Sequence, residues 1–395
     1  MKKKFILCTK IFSAVVLASI LLTGFSLSNG IAAKKGFIHA SGRDLIDPEG
    51  KKILLKGIAF GNQVWSNPAT PPSSHHTAKD YKVIKDLGFN SVRFYLNYKL
   101  FEDDSKPYKY KKSGFDWIDK NIAWAKKNGI YLVLNMHVPH GGFHSNAETT
   151  DLWTKDGNEE RFLALWKKIA EHCKNENTIA GYSILNEPAV YGGIGKWSEF
   201  TKQTVAAIRQ TDRNHLIIIE RMQCSIKSPG NADWNENVNG MMNFTPVKDS
   251  NIMYEFHFYK PFPLTHQGAS WVPALIGVKA PYPGPFKDWD GSTKTGDKKY
   301  LQKEFKPYID FSKKKNVPVY LGEFGVIKQG FDDGKSALAW INDIIDICDK
   351  NRINFNYHTY HEVYFGLYQN EPFKLPGNLN KPLAEYFKTR LSTIK

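Results

Sequence analysis

The chain has 395 residues, of which 42% are apolar, 24% charged and 14% aromatic, a composition that excludes disorder and collagen-like repeats. This length allows two or three average domains, or a single α/β barrel. The net charge of +15 raises the question of a nucleic-acid partner, but Lys202, Lys298, Lys299, Lys303 and Lys313 to Lys315 are spread over helix-like segments with no dense basic tract, so a solvated surface and no nucleic-acid partner are expected.

At the start, Lys2, Lys3, Lys4 and Lys10 precede or open an apolar run, Ile11 to Leu27, and small residues follow as far as Ala33. A basic start, an apolar middle and a small-residue exit read as a secretory signal peptide over residues 1–33. The alternative is an uncleaved membrane anchor, because 17 mostly apolar residues nearly span a bilayer. The small-residue exit favours cleavage. Removal after Ala33 takes four lysines and no acid, and leaves 362 residues with a charge of +11. The mature chain, 34–395, is expected to be extracellular, monomeric and without stable membrane association.

Short apolar, β-branched runs then recur: 53–60, 91–98, 130–137, 179–185, 215–221, 251–259, 317–326 and 354–360. Between most of them lie segments with helical spacing of apolar residues, at 116–128, 159–174, 197–210, 299–315 and 335–350, and a last one at 383–391. Eight strands interleaved with helices indicate a parallel sheet, and eight is the number that closes a (β/α)₈ barrel. The reading is a single-domain α/β (TIM) barrel over 34–395 with no appended module. The one long stretch without periodicity, Pro261 to Asp297, falls after the sixth strand, where a barrel has its catalytic mouth.

Cys173, Cys224 and Cys348 remain after Cys8 leaves with the signal; one disulfide is possible and a disulfide framework is not. Cys173 and Cys348 fall in amphipathic helical stretches, where a thiol is usually a buried apolar group. His137, His140 and His144 cluster without an acidic or Cys ligand nearby, so no metal is expected there. His75 and His76, in a Pro/Ser-rich loop, read as solvated.

In a barrel enzyme the reactive side chains stand at the C-terminal ends of the strands. The second strand offers Arg93. The third ends at His137, the fourth at Asn186-Glu187-Pro188, the sixth at His257-x-Tyr259, and the seventh at Gly322-Glu323-Phe324-Gly325. Glu187 and Glu323 therefore face one another across the mouth, with an Arg, two His and an Asn around them. Paired carboxylates are what glycoside hydrolysis requires: one protonated to assist the leaving oxygen, one ionised to attack or to activate water. Like-charge repulsion and a neighbouring Arg separate the two roles. A second Asn-Glu-Pro, at residues 370–372, lies beyond the eighth strand and reads as a loop at the cleft rim. No Gly-x-Ser-x-Gly elbow and no phosphate-binding loop occurs.

These motifs, in this order over roughly residues 36–390, resemble glycoside hydrolase family 5, the cellulase-type retaining enzymes built on the (β/α)₈ barrel. The segment from Leu152-Trp153 through Trp166 to Glu187 is similar to family members as well. The resemblance implies Glu187 as acid/base and Glu323 as nucleophile. It implies that Arg93 holds Glu323 ionised, that Tyr259 hydrogen-bonds the nucleophile and that His257 helps to set the acid/base. Asn186 and His137 would contact hydroxyls of the reacting sugar. No cofactor and no metal is needed.

Trp65 after the first strand, Trp153 before the fourth and Trp271 in the long sixth loop are candidate sugar platforms, with Trp65 and Trp271 favoured; Trp166 and Trp340 fall within helical periodicity and read as core. The sequence departs from the family at the end of the eighth strand. There a Trp usually lies under the reacting sugar, whereas this chain reads Asn354-Phe-Asn-Tyr-His-Thr-Tyr-His361. His358 occupies that place, with Tyr357 or Tyr360 as the alternatives if the register slips. The expected activity is a secreted, retaining endo-β-1,4-glycanase, foremost an endoglucanase on cellulose or mixed-linkage β-glucan. A β-mannanase of the same family is the alternative. A non-catalytic carbohydrate-binding barrel would be expected to have lost a carboxylate, and both are kept.

Overall fold

Eight strands form a closed barrel in strict chain order: β1 (Lys56–Phe60), β2 (Ser91–Asn97), β3 (Tyr131–Val138), β4 (Ile179–Ser183), β5 (Leu216–Glu220), β6 (Ile252–His257), β7 (Val319–Phe324) and β8 (Asn354–Tyr357). Every neighbouring pair is parallel, including β8 with β1, which closes the ring. The computed structural model describes residues 36–234, 246–370 and 377–392. The expected signal segment, residues 1–33, lies outside the described residues. So do Glu371 and Pro372 of the second Asn-Glu-Pro.

Among the described residues, seven helices of nine residues or more accompany the barrel: α1 (Ala78–Asp86), α2 (Lys112–Asn128), α3 (Asn158–Cys173), α4 (Gly193–Arg209), α5 (Lys298–Lys315), α6 (Ser336–Asn351) and α7 (Lys381–Ser392). Six of them coincide with the expected helical segments. The exception, α1, is short and starts at a capping box, in which Thr77 accepts from the backbone and Asp80 reaches back to the Thr77 N–H. The helices bury their apolar faces on the outside of the barrel. Trp166, Trp197 and Trp340 are fully buried there, as expected for Trp166 and Trp340. Cys173, Cys224 and Cys348 are buried thiols.

The first strand begins three residues later than expected. Lys52–Ile53 belongs instead to a small antiparallel sheet with Asp44–Ile46 and His39–Ser41. That sheet plugs one end of the barrel: Ile38, Leu45 and Leu55 pack with the inward residues Val133, Ala180, Leu216, Ile218, Met253 and Tyr320. The segment expected to be a long irregular loop carries a helical turn at Phe262–Thr265 and a hairpin of Gly284–Lys287 with Thr293–Gly296.

Above the apolar plug the barrel interior becomes polar. Arg93, Asn135, Ser183, Glu220, Glu255 and Asn356 are all buried. The period-2 alternation of a strand puts Arg93 and Tyr95, or Glu255 and His257, on one face. Gly322 makes room for this layer, because a Cβ there would lie 1.8 Å from Glu255 Oε1. Gly325 is required in the same way, since its Cβ would meet the His358 carbonyl at 2.4 Å. The glycines flanking Glu323 therefore let β7 approach β6 and β8 closely.

Candidate active site

Strand register assembles the site. His257 lies opposite Glu323 across β6 and β7, and Glu255 lies opposite Glu220 across β5 and β6. Arg93, projecting inward from β2, is fully buried and bonds outward to three strands. Its Nη1 donates to Glu323 Oε1 at 2.8 Å, its Nη2 to Asn186 Oδ1 at 3.0 Å, and its Nε lies 3.0 Å from Glu255 Oε1. The arginine is thus the hub that fixes the relative positions of β2, β4, β6 and β7 at the mouth.

Glu323 is almost completely enclosed. Oε1 accepts from Arg93 and from the Tyr95 hydroxyl at 2.6 Å, and Oε2 accepts from the Tyr259 hydroxyl at 3.0 Å. Burial alone would raise the carboxyl. His257, His358 and Arg93 outweigh it and hold Glu323 well below the ordinary glutamate range. The group is held as the anion, which suits a nucleophile.

Glu187 differs in both respects. Its side chain is 20% exposed and has one side-chain partner in the site, His257 Nδ1, at 3.0 Å from Oε1. Its backbone is left-handed, with φ 40°, and its N–H donates to Glu220 Oε2 at 2.8 Å. The other ring nitrogen of His257 lies 3.4 Å from Glu220 and 3.5 Å from Glu255. Burial opposes charge on this ring, but Glu220, Glu323, Glu187 and Glu255 prevail and push its pKa up to about 10. His257 is therefore held as an imidazolium whose Nδ1 donates to Glu187, while Nε2 lies among Glu220, Glu255 and, at 3.3 Å, Arg93 Nη2. One oxygen of Glu187, one of Glu323 and a ring nitrogen of His257 all lie within 4.8 Å of one another.

His137 is buried at the end of β3 and stacks on Tyr95 with ring centres 3.9 Å apart. Burial pushes its pKa well down, so the imidazole is neutral and can exchange hydrogen bonds with a hydroxyl. Two clusters, Glu187–His257–Glu323 and Glu220–Glu255–His257, have the ligand types of a metal site. In both, however, the countercharge is already supplied: Arg93 contacts Glu255 and Glu323 directly, and His257 is cationic. A divalent ion would be repelled by both.

Two cavities flank the carboxylates. One, of about 580 Å³, is lined by Trp65, Phe143, Trp271, His358, Tyr364 and Phe365. The other, of about 410 Å³, is lined by Glu187, His257, Tyr259, Phe262, Trp234 and Trp289. Trp65 and Trp271 are each about half exposed, at 49% and 48%, and stand where a platform is expected. His358 settles the register at the end of β8. It faces the first cavity, with Nδ1 3.0 Å from the Tyr95 hydroxyl and 3.9 Å from Glu323 Oε2. Tyr357 and Tyr360 are fully buried elsewhere, the latter donating to Asp80.

Two expectations are corrected. Trp153 is not a platform: it is buried, its indole N–H donates to the Ala189 carbonyl at 2.7 Å, and its ring packs on Phe200. His75 and His76 are not solvated. The loop after β1 folds inward, His76 stacks on Phe60 at 4.1 Å, and its Nε2 meets Asn121 Oδ1 at 2.6 Å. A polar partner on α2 offsets the burial of His76, which in turn meets His75 Nδ1 at 2.9 Å, and nothing in the local sequence announces it. Four site residues were missed. Tyr95 and Glu255 could have been found by counting two residues from Arg93 and His257 along their strands. Glu220 sits at the end of β5, and Trp234 beyond it.

Residues 46–372 match the family model described as Cellulase (glycosyl hydrolase family 5). Among curated relatives, Endoglucanase C of Acetivibrio thermocellus is 29% identical over 311 residues, 75% of this chain and 87% of that protein. An endoglucanase of Paenibacillus polymyxa is 27% identical over 385 residues, 90% of this chain and 88% of that protein. Among solved structures, Thermotoga maritima Cel5A in complex with cellobiose has a TM-score of 0.64 and 27% identity, over 85% of this chain and 97% of that one. The same organism's Cel5A in complex with mannotriose has a TM-score of 0.66 and 28% identity over the same shares.

Proposed function

The chain belongs to glycosyl hydrolase family 5, the cellulase family, and from that membership we propose that it is a secreted, monomeric endo-β-1,4-glucanase that cuts cellulose or mixed-linkage β-glucan with retention of the anomeric configuration. One observation carries the chemistry: a fully hydrogen-bonded, anionic Glu323 lies within 4.8 Å of a partly exposed Glu187, between two aromatic cavities. Retaining glycosidases separate their carboxyl groups by about 5–5.5 Å, and inverting ones by about 6.5–9.5 Å to admit a water. The observed closeness favours retention.

In the first step a Glu323 oxygen attacks the anomeric carbon while the glycosidic bond breaks, and Glu187 gives its proton to the departing oxygen. In the second, water attacks the same carbon, Glu187 takes a proton from it, and the bond to Glu323 breaks. Arg93, Tyr95 and Tyr259 keep Glu323 ionised and in place; His257 holds the Glu187 carboxyl. Neutral His137 and Asn186 face the reacting sugar. Because an acid must adjoin the leaving oxygen, the cavity with Trp234 and Trp289 receives the leaving chain. The cavity with Trp65 and Trp271 receives the other part. A polymer with room on both sides is cut internally, which supports the endo mode.

A second substrate reading, β-1,4-mannan, is favoured by one observation. His358 sets an imidazole, in place of an indole, beside the reacting sugar, where a polar contact distinguishes epimers. Thermotoga maritima Cel5A has been solved with both a glucan and a mannan oligosaccharide. Reducing-sugar release from carboxymethylcellulose, barley β-glucan, xyloglucan and galactomannan decides between them. Highest turnover on galactomannan would replace the glucanase reading. The export proposal rests on the basic start and apolar run of residues 1–33. It is tested by the N-terminus of secreted material, expected near Lys34. A single monomer peak in size-exclusion chromatography is expected.

A further inference from the structure

We propose that Glu220, at the end of β5, is a positioning residue for the acid/base: it ties down the Glu187 main chain directly and anchors the Glu187 carboxyl through His257. The inference rests on the reading of Glu187 as the acid/base.

Glu187 has to be held from outside. Its left-handed φ of 40° is disfavoured for any residue with a Cβ. It persists only where the surroundings over-determine it. Among the described residues, the side-chain acceptor for its N–H is Glu220 Oε2, at 2.8 Å. The same carboxylate oxygen lies 3.4 Å from His257 Nε2, while His257 Nδ1 donates to Glu187 Oε1 at 3.0 Å. One carboxylate thus acts on both ends of Glu187. The imidazolium transmits the second contact.

The groups facing Glu220 are consistent with this clamp. His257 and Arg93 are the cations, the latter with Nη2 at 4.0 Å; Glu255 and Glu187 are the acids. Glu220 is fully buried and its Oε1 has no hydrogen-bond partner among the described residues. Burial, with Glu255 and Glu187 beside it, pushes its pKa up to about 8 against the pull of His257 and Arg93, so keeping an acid here costs stability. It is fully buried and lines neither flanking cavity. Its main-chain carbonyl accepts from the Trp197 indole at 3.1 Å, which ties the end of β5 to α4.

The test separates acid assistance from general damage. A dinitrophenoxide leaves without a proton, whereas a sugar hydroxyl does not, so loss of a well-placed acid spares the aryl substrate in kcat/KM. Glu220→Ala is expected to lower kcat/KM on β-glucan ~100-fold, within the range of general acid catalysis, and on 2,4-dinitrophenyl β-cellobioside less than ~3-fold. Glu220→Gln keeps an acceptor for the Glu187 N–H at nearly unchanged size, and should lie in between on β-glucan with the same selectivity. Nitrogen-15 NMR of the His257 ring, independent of activity, should show its titration midpoint falling below about 10 in both variants. Glu187→Ala run in parallel tests the underlying reading. Equal loss on both substrates for Glu187→Ala would overturn the acid/base assignment. A selective Glu187→Ala beside Glu220 variants with equal or no losses, or with an unmoved His257 midpoint, would overturn the role given to Glu220.

Discussion

Replacing Tyr95 with Phe removes one oxygen from the site and little else. The ring is fully buried and keeps its parallel stack on His137, at 3.9 Å and 13°. What is lost is the 2.6 Å bond to Glu323 Oε1 and the acceptor for His358 Nδ1 at 3.0 Å. A hydrogen bond to a charged group contributes about 1.5–3 kcal/mol, and one pKa unit corresponds to about 1.4 kcal/mol. Arg93 and Tyr259 remain on Glu323, so the low end applies, and a shift of about one unit is expected. The bond favours the ionised carboxylate, so losing it raises the pKa. The acid limb of kcat/KM against pH, which reports the free enzyme, should move up by about one unit on soluble β-glucan. Stability follows with a defined sign. A lowered folded-state pKa contributes stability that is complete above the ordinary glutamate value and disappears as pH falls through the lowered value. The gap in melting temperature between wild type and variant should therefore be widest near neutrality and close in acid. A folded Tyr95→Phe protein whose acid limb stays in place, or moves down, would refute the assignment of Tyr95 as a partner of the ionised nucleophile.

Glu187→Gln and Glu323→Gln should each lower kcat on every polysaccharide ~100-fold or more while the fold survives, as checked by circular dichroism; a variant of either with near-normal kcat sinks the pair. Proton NMR of the first-formed reducing end should show the β anomer, and an initial α signal would mean that water attacks directly. His358→Ala should change the ratio of kcat/KM between β-glucan and galactomannan by several-fold, since it removes a polar group 3.0 Å from Tyr95 at the cavity wall. Equal losses on both would assign His358 to holding Tyr95 and Glu323 rather than to reading the sugar.

The local sequence determined the architecture of this protein because its two signals are short-range. β-branched runs and 3.6-residue periodicity need no knowledge of the rest of the chain, and they placed all eight strands and six of the seven helices. Barrel topology then put Arg93, His137, Asn186, Glu187, His257, Tyr259 and Glu323 at one mouth, because each lies on a barrel strand or just past its C-terminal end. What only the tertiary structure decided depends on which strand meets which, and in what register. Glu220 and Glu255 belong to the site because β5 and β6 pair them directly beneath His257. Trp153 left the cleft for the core because the Ala189 carbonyl and Phe200 lay within its reach. His76 is buried because Asn121, 45 residues beyond it on another element, supplies the hydrogen bond that makes burial tolerable, and His75 goes in beside it, Nδ1 to Nδ1 at 2.9 Å. His358 rather than its neighbours faces the cavity because Tyr357 and Tyr360 are drawn into the wall behind it. Periodicity reports which side of an element is apolar, but a polar group's partner across the barrel is fixed only when closure sets the stagger of all eight strands together.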